Sequence, residues 1–367
     1  AFISKFNNAG EKQWTRLLGT DEDDGGNSIL IGSNNSIYLL GGTQGNLDGQ
    51  TNSGSSDGFI CKYDVNGNKE WTTLIGSWNS DNINGSALGS DGSIYILGST
   101  PSDLDGQTNA GGLDIFISKF NNSGEKQWTK LIGTSHYEDG YEIISGSNDE
   151  LFITGYTRGD LNGETNSGGP DAFIIKLNNE GENQWTKLLG TTNEDLGYSV
   201  SLINENNIFV VGDTQGNLEG QSNSGSNDVF ISKFNKDGAK QWTRLLGSSS
   251  SDYGKAVTTD SNGSIYIAGY SHGNLGGETN KGNHDSFITK YSNDGEKQWT
   301  KLIGTPEDDY GLSLIIDNNN SLYLTGNTEG DLDSQNNNGG KDVFITKFYQ
   351  AYIPTDISLS SSSFNEN

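Results

Sequence analysis

Residues 59–77 read FICKYDVNGNKEWTTLIGS. Two short runs rich in β-branched and aromatic residues flank an N-x-x-G-type turn, DVNG, which is strand–turn–strand patterning. The same text returns as FISKFNNSGEKQWTKLIGT at 116–134 and as FIIKLNNEGENQWTKLLGT at 173–191. Trp14, Trp71, Trp128, Trp185, Trp242 and Trp299 stand 57 residues apart, and only Trp78 falls outside the series. An unbroken period of this length marks a repeat architecture. Phe2, Phe59, Phe116, Phe173, Phe230, Phe287 and Phe344 recur, each followed by Ile and, three positions on, by a lysine. Gly10, Gly67, Gly124, Gly181, Gly238 and Gly295 mark one turn in every copy.

Each unit holds four short β-like runs and no helical periodicity. In the first complete set these are NSILIG (27–32), SIYLLGG (36–42), FICKYD (59–64) and KEWTTLIG (69–76). The long polar segment GNLDGQTNSGSSDGF (45–59) joins the second run to the third. Ile37 and Leu39 lie on one face of the second run, Tyr38 and Leu40 on the other. A sheet wetted on one side alternates cleanly, so these inner strands require cover on both faces. Neighbouring copies packed face to face supply it. Radial repetition of four-stranded antiparallel blades is an all-β β-propeller. A stacked β-solenoid is the alternative, but its rungs are shorter.

Residues 1–18 hold only strands three and four, and 313–348 supply strands one to three. Joining these ends in one shared blade gives six blades and leaves one surplus third strand, because Phe2 and Phe344 are equivalent. Seven blades are the alternative count. The reading assigns 1–350 to the propeller and 351–367 to a linker with the start of a following module, or to a disordered tail. Because the chain begins inside a repeat, it reads as a mature or excised piece of a larger multidomain chain, present as a monomeric module.

Composition narrows the function. Only 31% of residues are apolar, but aromatics reach 10% and there are 52 glycines, which suits a turn-rich β protein rather than a disordered chain. A net charge of −26 repels nucleic acid and anionic membrane. No apolar run approaches the ~18 residues of a membrane span. Cys61 is the single cysteine, so no intrachain disulfide forms, and His136, His272 and His284 lack zinc-ligand spacing.

The unit DxFIxKxxxxGxxxWTxxxGTxxDDxGxS…SIYLxGxT resembles the bacterial β-propeller repeat called SBBP, across residues 1–348. The resemblance implies a secreted or cell-surface bacterial protein with no assigned catalytic residues. That family is named for seven blades, whereas this chain supplies six and a fraction. The tail IPTDISLSSSSFNEN (353–367) resembles the start of a cadherin-like module, a kind that often binds calcium. NNAGEKQWTRLLGT (7–20) is similar to the tryptophan-docking motif of quinoprotein propellers, where the Trp packs between adjacent blades. The likeness stops at packing and implies no quinone. One Trp per blade lining sugar sites, as in propeller lectins, is the alternative.

The recurring lysine sits beside apolar neighbours, so its stem is expected to lie along the blade with the ammonium paired to a carboxylate. In a meander the connections alternate between faces. The second-to-third loops and the blade-to-blade loops therefore share one face, the latter with Asp24, Asp81, Glu138, Asp195, Asp252 and Asp309. The long loops add a second acidic set. Calcium takes six to eight oxygens from carboxylates, amides and carbonyls, and the loops carry those ligand types. The candidate ligands are Asp48, Asn52 and Asp57; Asp103, Asp105, Asn109 and Asp114; Asp160, Asn162, Asn166 and Asp171; and Asp331, Asp333, Asn337 and Asp342. Repeat five, with Asn274, Gly276 and Asn280, is the poorest. The competing reading is that these residues form Asx turns that fold the loop, anchored by Leu47.

Enzyme signatures are absent: no phosphate loop, no serine elbow and no His-based triad. Six equivalent copies argue for structure or multivalent binding. The sequence reading is therefore a non-catalytic extracellular interaction or adhesion scaffold with calcium at its acidic loop face. A multivalent carbohydrate-binding propeller is the alternative, and a glycan-active hydrolase the third class. Protein or glycan ligands are the expected partners, without nucleic acid or membrane insertion.

Overall fold

The computed structural model describes residues 1–7, 10–32, 34–348 and 360–361, and every regular element among them is a β-strand. Strands β1 (Phe2–Phe6) and β2 (Lys12–Leu17) form a two-stranded sheet. Six four-stranded antiparallel blades follow. The first is β3 (Asp24–Ile31), β4 (Ile37–Thr43), β5 (Asp57–Tyr63) and β6 (Lys69–Ile75). The second is β7 (Asn82–Leu88), β8 (Ile94–Thr100), β9 (Asp114–Phe120) and β10 (Lys126–Ile132). The third is β11 (Glu138–Ser145), β12 (Leu151–Thr157), β13 (Asp171–Leu177) and β14 (Asn183–Leu189). The fourth is β15 (Asp195–Ile203), β16 (Asn207–Thr214), β17 (Asp228–Asn235) and β18 (Lys240–Leu246). The fifth is β19 (Asp252–Thr259), β20 (Ile265–Ser271), β21 (Asp285–Tyr291) and β22 (Lys297–Ile303). The sixth is β23 (Asp309–Ile316), β24 (Leu322–Thr328), β25 (Asp342–Phe348) and β26 (Ser360–Ser361).

The six four-stranded blades match the count read from the sequence, but their closing partner differs. β25 takes the third-strand place beside β24, and Ser360–Ser361 pairs with Thr346 and Lys347 as the fourth. Among the described residues the shared blade built from both chain ends is not formed, and β1 and β2 keep a sheet of their own. A third strand that continues directly from its own β24 closes a short loop, which costs less entropy than recruiting strands from the other end of the chain. The cadherin-like reading of 353–367 lies outside the described residues, apart from Ser360–Ser361.

The chain divides into two compact units: Ala1–Asn166 with Phe173–Leu188, and Ser167–Ala172 with the chain from Leu189 onward. Within each, successive blades sandwich a core. Tyr38, Leu40 and Ile60 of the first blade meet Ile83, Ile94 and Ile96 of the second. Phe209, Val211 and Ile231 of the fourth meet Val257, Ile265 and Ile267 of the fifth. The middle strands are accordingly buried on both faces, as β5 and β8 are throughout their lengths.

Two invariant columns explain the docking. Lys62 lies directly across from Trp71 and Tyr38, and this aromatic–Lys–Trp line recurs in other blades. The Lys62 ammonium sits 5.8 Å from the Tyr38 ring, whose centroid is 6.1 Å from that of Trp71. The ammonium then donates to Asn122 Oδ1 at 2.9 Å, in the turn of the next blade. Lys233 reaches Asn293 Oδ1 in the same way at 2.8 Å. The half-buried Trp ring lies flat on the next turn glycine: a β-carbon added at Gly124 falls 2.9 Å from Trp71 Cε3. Carboxylates join in some blades, with Glu70 3.1 Å from Lys62 and Glu150 2.8 Å from Lys176. The carboxylate pairing inferred from the sequence is thus a local addition. What recurs is an aromatic ring and the neighbouring blade's turn.

Every first strand carries a β-bulge in the same place. The register slips between Gly26 and Ser28, Ile83 and Gly85, Gly140 and Glu142, Gly197 and Ser199, Gly254 and Ala256, and Gly311 and Ser313. The bulged residues are Asn27, Asn84, Tyr141, Tyr198, Lys255 and Leu312. A bulge re-aims one side chain out of the regular pleat.

Candidate binding site

Most of the predicted loop ligands bond within their own loop, while Asp48, Asp105 and Asn162 bond to the fourth strand of the blade. Asn52 donates from Nδ2 to the Thr43 carbonyl at 2.9 Å, and its Oδ1 accepts the Gly54 N–H at 2.8 Å. Asp57 accepts the Ser53 N–H at 2.9 Å, and Asp114, Asp171 and Asp342 do the same for Ala110, Ser167 and Asn338. Asp103, Asp160 and Asp331 accept the N–H groups of Asn109, Asn166 and Asn337. Those three asparagines return Nδ2 to the carbonyls of Thr100, Thr157 and Thr328. Asp48, Asp105, Asn162 and Asp333 occupy the loop's left-handed corner, with φ of 52°, 53°, 51° and 49°, where Asp and Asn are the tolerated non-glycine types. The Asp48 carboxylate is held by Lys69 and Thr72, that of Asp105 by Lys126 and Thr129. Leu47, Leu104, Leu161, Leu218 and Leu275 pin the loops with exposures of 0–2%. Among the described residues no group of three or more His, Cys, Asp or Glu side chains is placed to hold a metal ion.

The two acidic columns do meet, one residue from each. A parallel bridge between Ser56 and Ser80 sets Asp57 beside Asp81, and the Asp81 N–H bonds the Ser56 carbonyl at 2.8 Å. Asp171 stands likewise beside Asp195, and Asp285 beside Asp309. In all three pairs both Oδ1 atoms are buried without a hydrogen-bond partner. Burial, opposed by the Ser167 N–H and reinforced by Asp195, pushes Asp171 up to about 6. Burial likewise raises Asp57, Asp114, Asp228 and Asp285.

The columns that do not repeat form a different layer, and recurrence alone does not reveal them. They are the bulged residue, the residue before it by two, and the penultimate residue of the second strand, with the two residues that precede the acidic columns. In the first unit they bring together Asn84, Ser99 and Asp139: Asn84 Nδ2 donates to Asp139 Oδ1 at 3.0 Å, and Ser99 donates to the same oxygen. Burial raises Asp139 despite these donors.

In the second unit the same columns hold a half-exposed aromatic array. Tyr270 meets Tyr253, Tyr310 and His284 at ring-centroid distances of 4.9, 4.8 and 5.5 Å, and His272 stacks on His284 at 4.8 Å. Asp308 fixes its rim, 2.9 Å from His284 Nδ1 and 3.2 Å from the Tyr310 hydroxyl. Hydrogen bonds from His284 and Tyr310 hold Asp308 below the usual carboxylate range, against a smaller upward pull from burial. Lys341 lies 4.9 Å from the Tyr310 ring. The signal for this array is present in the sequence as variance: five columns change their chemistry from copy to copy while their flanks do not.

Comparison with known proteins finds a repeat family in two of the copies. The SBBP β-propeller repeat model matches residues 241–276 and 298–333. The regulatory protein FlaEY of Caulobacter vibrioides is 26% identical over 372 residues, covering 87% of this chain and 38% of that protein. An uncharacterized WD repeat-containing protein of Acanthamoeba polyphaga mimivirus is 24% identical over 279 residues, 65% of this chain and 19% of its own. The chain thus spans well under half the length of both relatives. Among solved structures, an ulvan lyase superposes with a TM-score of 0.55 at 14% identity, covering 90% of this chain and 84% of the lyase. The β-propeller domain of the Trilobed protease from Pyrococcus furiosus gives 0.50 at 10% identity, covering 94% and 85%. The SBBP β-propeller repeat model thus matches two copies directly, and the same framework columns run through the other copies.

Proposed function

We propose that the chain is a non-catalytic interaction module: the repeating columns build blades, and the non-repeating columns of the second unit present a glycan-binding surface. The observation that carries this reading is the array of Tyr253, Tyr270, His284 and Tyr310, whose rings pack together yet stay part-exposed, with Asp308 and Lys341 at the rim. Aromatic bodies with polar tips suit a ligand that is apolar on one face and hydroxylated at its edges. The framework lysines and acids are already committed to docking and loop folding, which leaves this layer as the place where copies differ. Affinity electrophoresis through gels loaded with neutral, uronic-acid or sulfated polysaccharides tests it. One class should retard the protein, and Tyr270→Ala with Tyr310→Ala should weaken retention by about tenfold or more. Equal migration of parent and double variant in every gel defeats the reading.

Calcium is a second reading, favoured by the orphaned Oδ1 atoms of the Asp57–Asp81, Asp171–Asp195 and Asp285–Asp309 pairs, in which Asp57 and Asp171 are candidate loop ligands. A cation between each pair would let both carboxylates stay ionised at neutral pH. Melting the protein with calcium and with a chelator tests it. Sites filled at ten times Kd should each add roughly 1.4 kcal/mol, whereas coincident melting curves remove the reading.

A further inference from the structure

Three non-repeating columns each contain one residue of unusual chemistry for that column, and one of the three, Asp213, approaches both of the others. The bulge column reads Asn27, Asn84, Tyr141, Tyr198, Lys255, Leu312, so its one amine is Lys255. The second-strand column reads Gly42, Ser99, Tyr156, Asp213, Tyr270, Asn327, and its one acid is Asp213. The column before the third strand reads Ser56, Leu113, Pro170, Asn227, His284, Lys341, and its one carboxamide is Asn227.

All three are withdrawn from water. Asp213 is 1% exposed, Asn227 5%, and the Lys255 side chain 16%. Asp213 lies between the other two. Its Oδ2 accepts from Asn227 Nδ2 at 2.9 Å, and its Oδ1, which has no hydrogen-bond partner, faces Lys255 Nζ at 4.0 Å. The Lys255 Nζ is boxed by aromatic faces, 3.2 Å from the Tyr198 ring centroid, 5.5 Å from Tyr253 and 5.8 Å from Tyr270. The box fixes where the amine points and keeps out competing water.

We propose that Lys255 and Asn227 condense to a side-chain amide, an isopeptide bond between the fifth and fourth blades, with Asp213 as the proton relay. Asp213 takes a proton from the Lys255 ammonium. The freed lone pair forms the Nζ–Cγ bond to Asn227, and the carbonyl electrons move onto Oδ1. Ser226 Oγ, a long 3.5 Å from Oδ1, is the nearby donor to that oxygen. Asp213 returns its proton through Oδ2 to Nδ2, the Cγ–Nδ2 bond breaks, and Asp213 takes the surplus proton from the new amide nitrogen. One ammonia leaves. Primary amine and carboxamide become secondary amide, with no oxidant, metal or cofactor. Burial supports the relay from both sides: it lowers the Lys255 amine to about 8, with Asp213 opposing, and raises Asp213 to about 6, with Lys255 opposing. A desolvated lysine of this kind is a nucleophile near neutral pH.

The test is the intact mass of the denatured full chain, followed by proteolysis and peptide mapping. The bond predicts a mass lower than the sequence mass by one ammonia and a branched peptide joining Lys255 to Asn227. Lys255→Arg keeps a cation in the aromatic box, and Asp213→Asn keeps the shape of the relay. Both should show the full sequence mass while retaining the β-sheet circular dichroism of the parent. A parent chain at the full sequence mass, with Lys255 and Asn227 in linear peptides, overturns the proposal. So does a loss of water that joins Lys255 to Asp213. Neither result bears on glycan retention, which is read in the separate gel assay.

Discussion

Asp171 shows how a single carboxylate ties stability to pH. Its folded value of about 6 lies above the ordinary 3.8 because burial outweighs the Ser167 N–H and Asp195 adds repulsion. The folded state therefore holds a proton more tightly than the unfolded chain. Its favourable contribution is complete below the unfolded value and is lost as pH rises through the folded one. Asp57, Asp114, Asp195, Asp228, Asp252 and Asp285 are raised for the same first reason. Asp48 runs the other way: burial pulls it up, but hydrogen bonds from Lys69 and Thr72 outweigh that pull. Because the raised group is the more deeply buried, the melting temperature without added metal should be higher at pH 5 than at pH 7.5, and Asp171→Asn should flatten the slope. A melting temperature that climbs steadily from pH 5 to pH 7.5 contradicts this account.

The element that matters is the junction between blades, where a Trp of one copy lies on the turn of the next. Gly124 has φ of +81°, and its missing side chain is the floor on which Trp71 rests. Gly124→Ala combines left-handed strain of roughly 1–2 kcal/mol with a collision against the ring. Chemical denaturation should show a loss of at least that size. Gly92→Ala, also at positive φ with open space around its β-carbon, separates the two effects: it should cost only the strain. Equal losses at the two glycines would mean that Trp docking contributes nothing. The junction was half legible. The Trp and Gly columns announce themselves by recurrence, but the lysine's partner does not. Asn122 lies 60 residues beyond Lys62, and nothing in either local stretch points at the other.

For the whole molecule, the repeat predicts that stability is a sum over neighbouring junctions. Trp71→Ala and Trp242→Ala should each cost roughly 2–4 kcal/mol, the half-buried end of large-to-small replacement. They touch different turns, Gly124 and Gly295, and share no partner. The double variant should therefore lose the sum of the two within about 0.5 kcal/mol, as measured by denaturant midpoints at constant slope. A larger discrepancy would reveal coupling beyond nearest neighbours. The blade count and the order of strands within a blade were legible because each repeat states them again. The way the sixth blade is completed was not, because Phe2 and Phe344 carry the same letters and pairing with β24 is decided by chain entropy. The aromatic array stayed hidden for the opposite reason. Its residues, Tyr253, Tyr270, His284 and Tyr310, sit in the columns that a search for recurrence discards.

The bulge in each first strand has a genetic consequence. Because every copy has the same 57-residue length and the same framework columns, a whole blade can in principle be lost, gained or exchanged as a unit. Each exchanged blade carries its own bulged residue, Asn, Tyr, Lys or Leu, on an unchanged chassis. New surface combinations then arise by shuffling cassettes, without passing through intermediates that fail to fold.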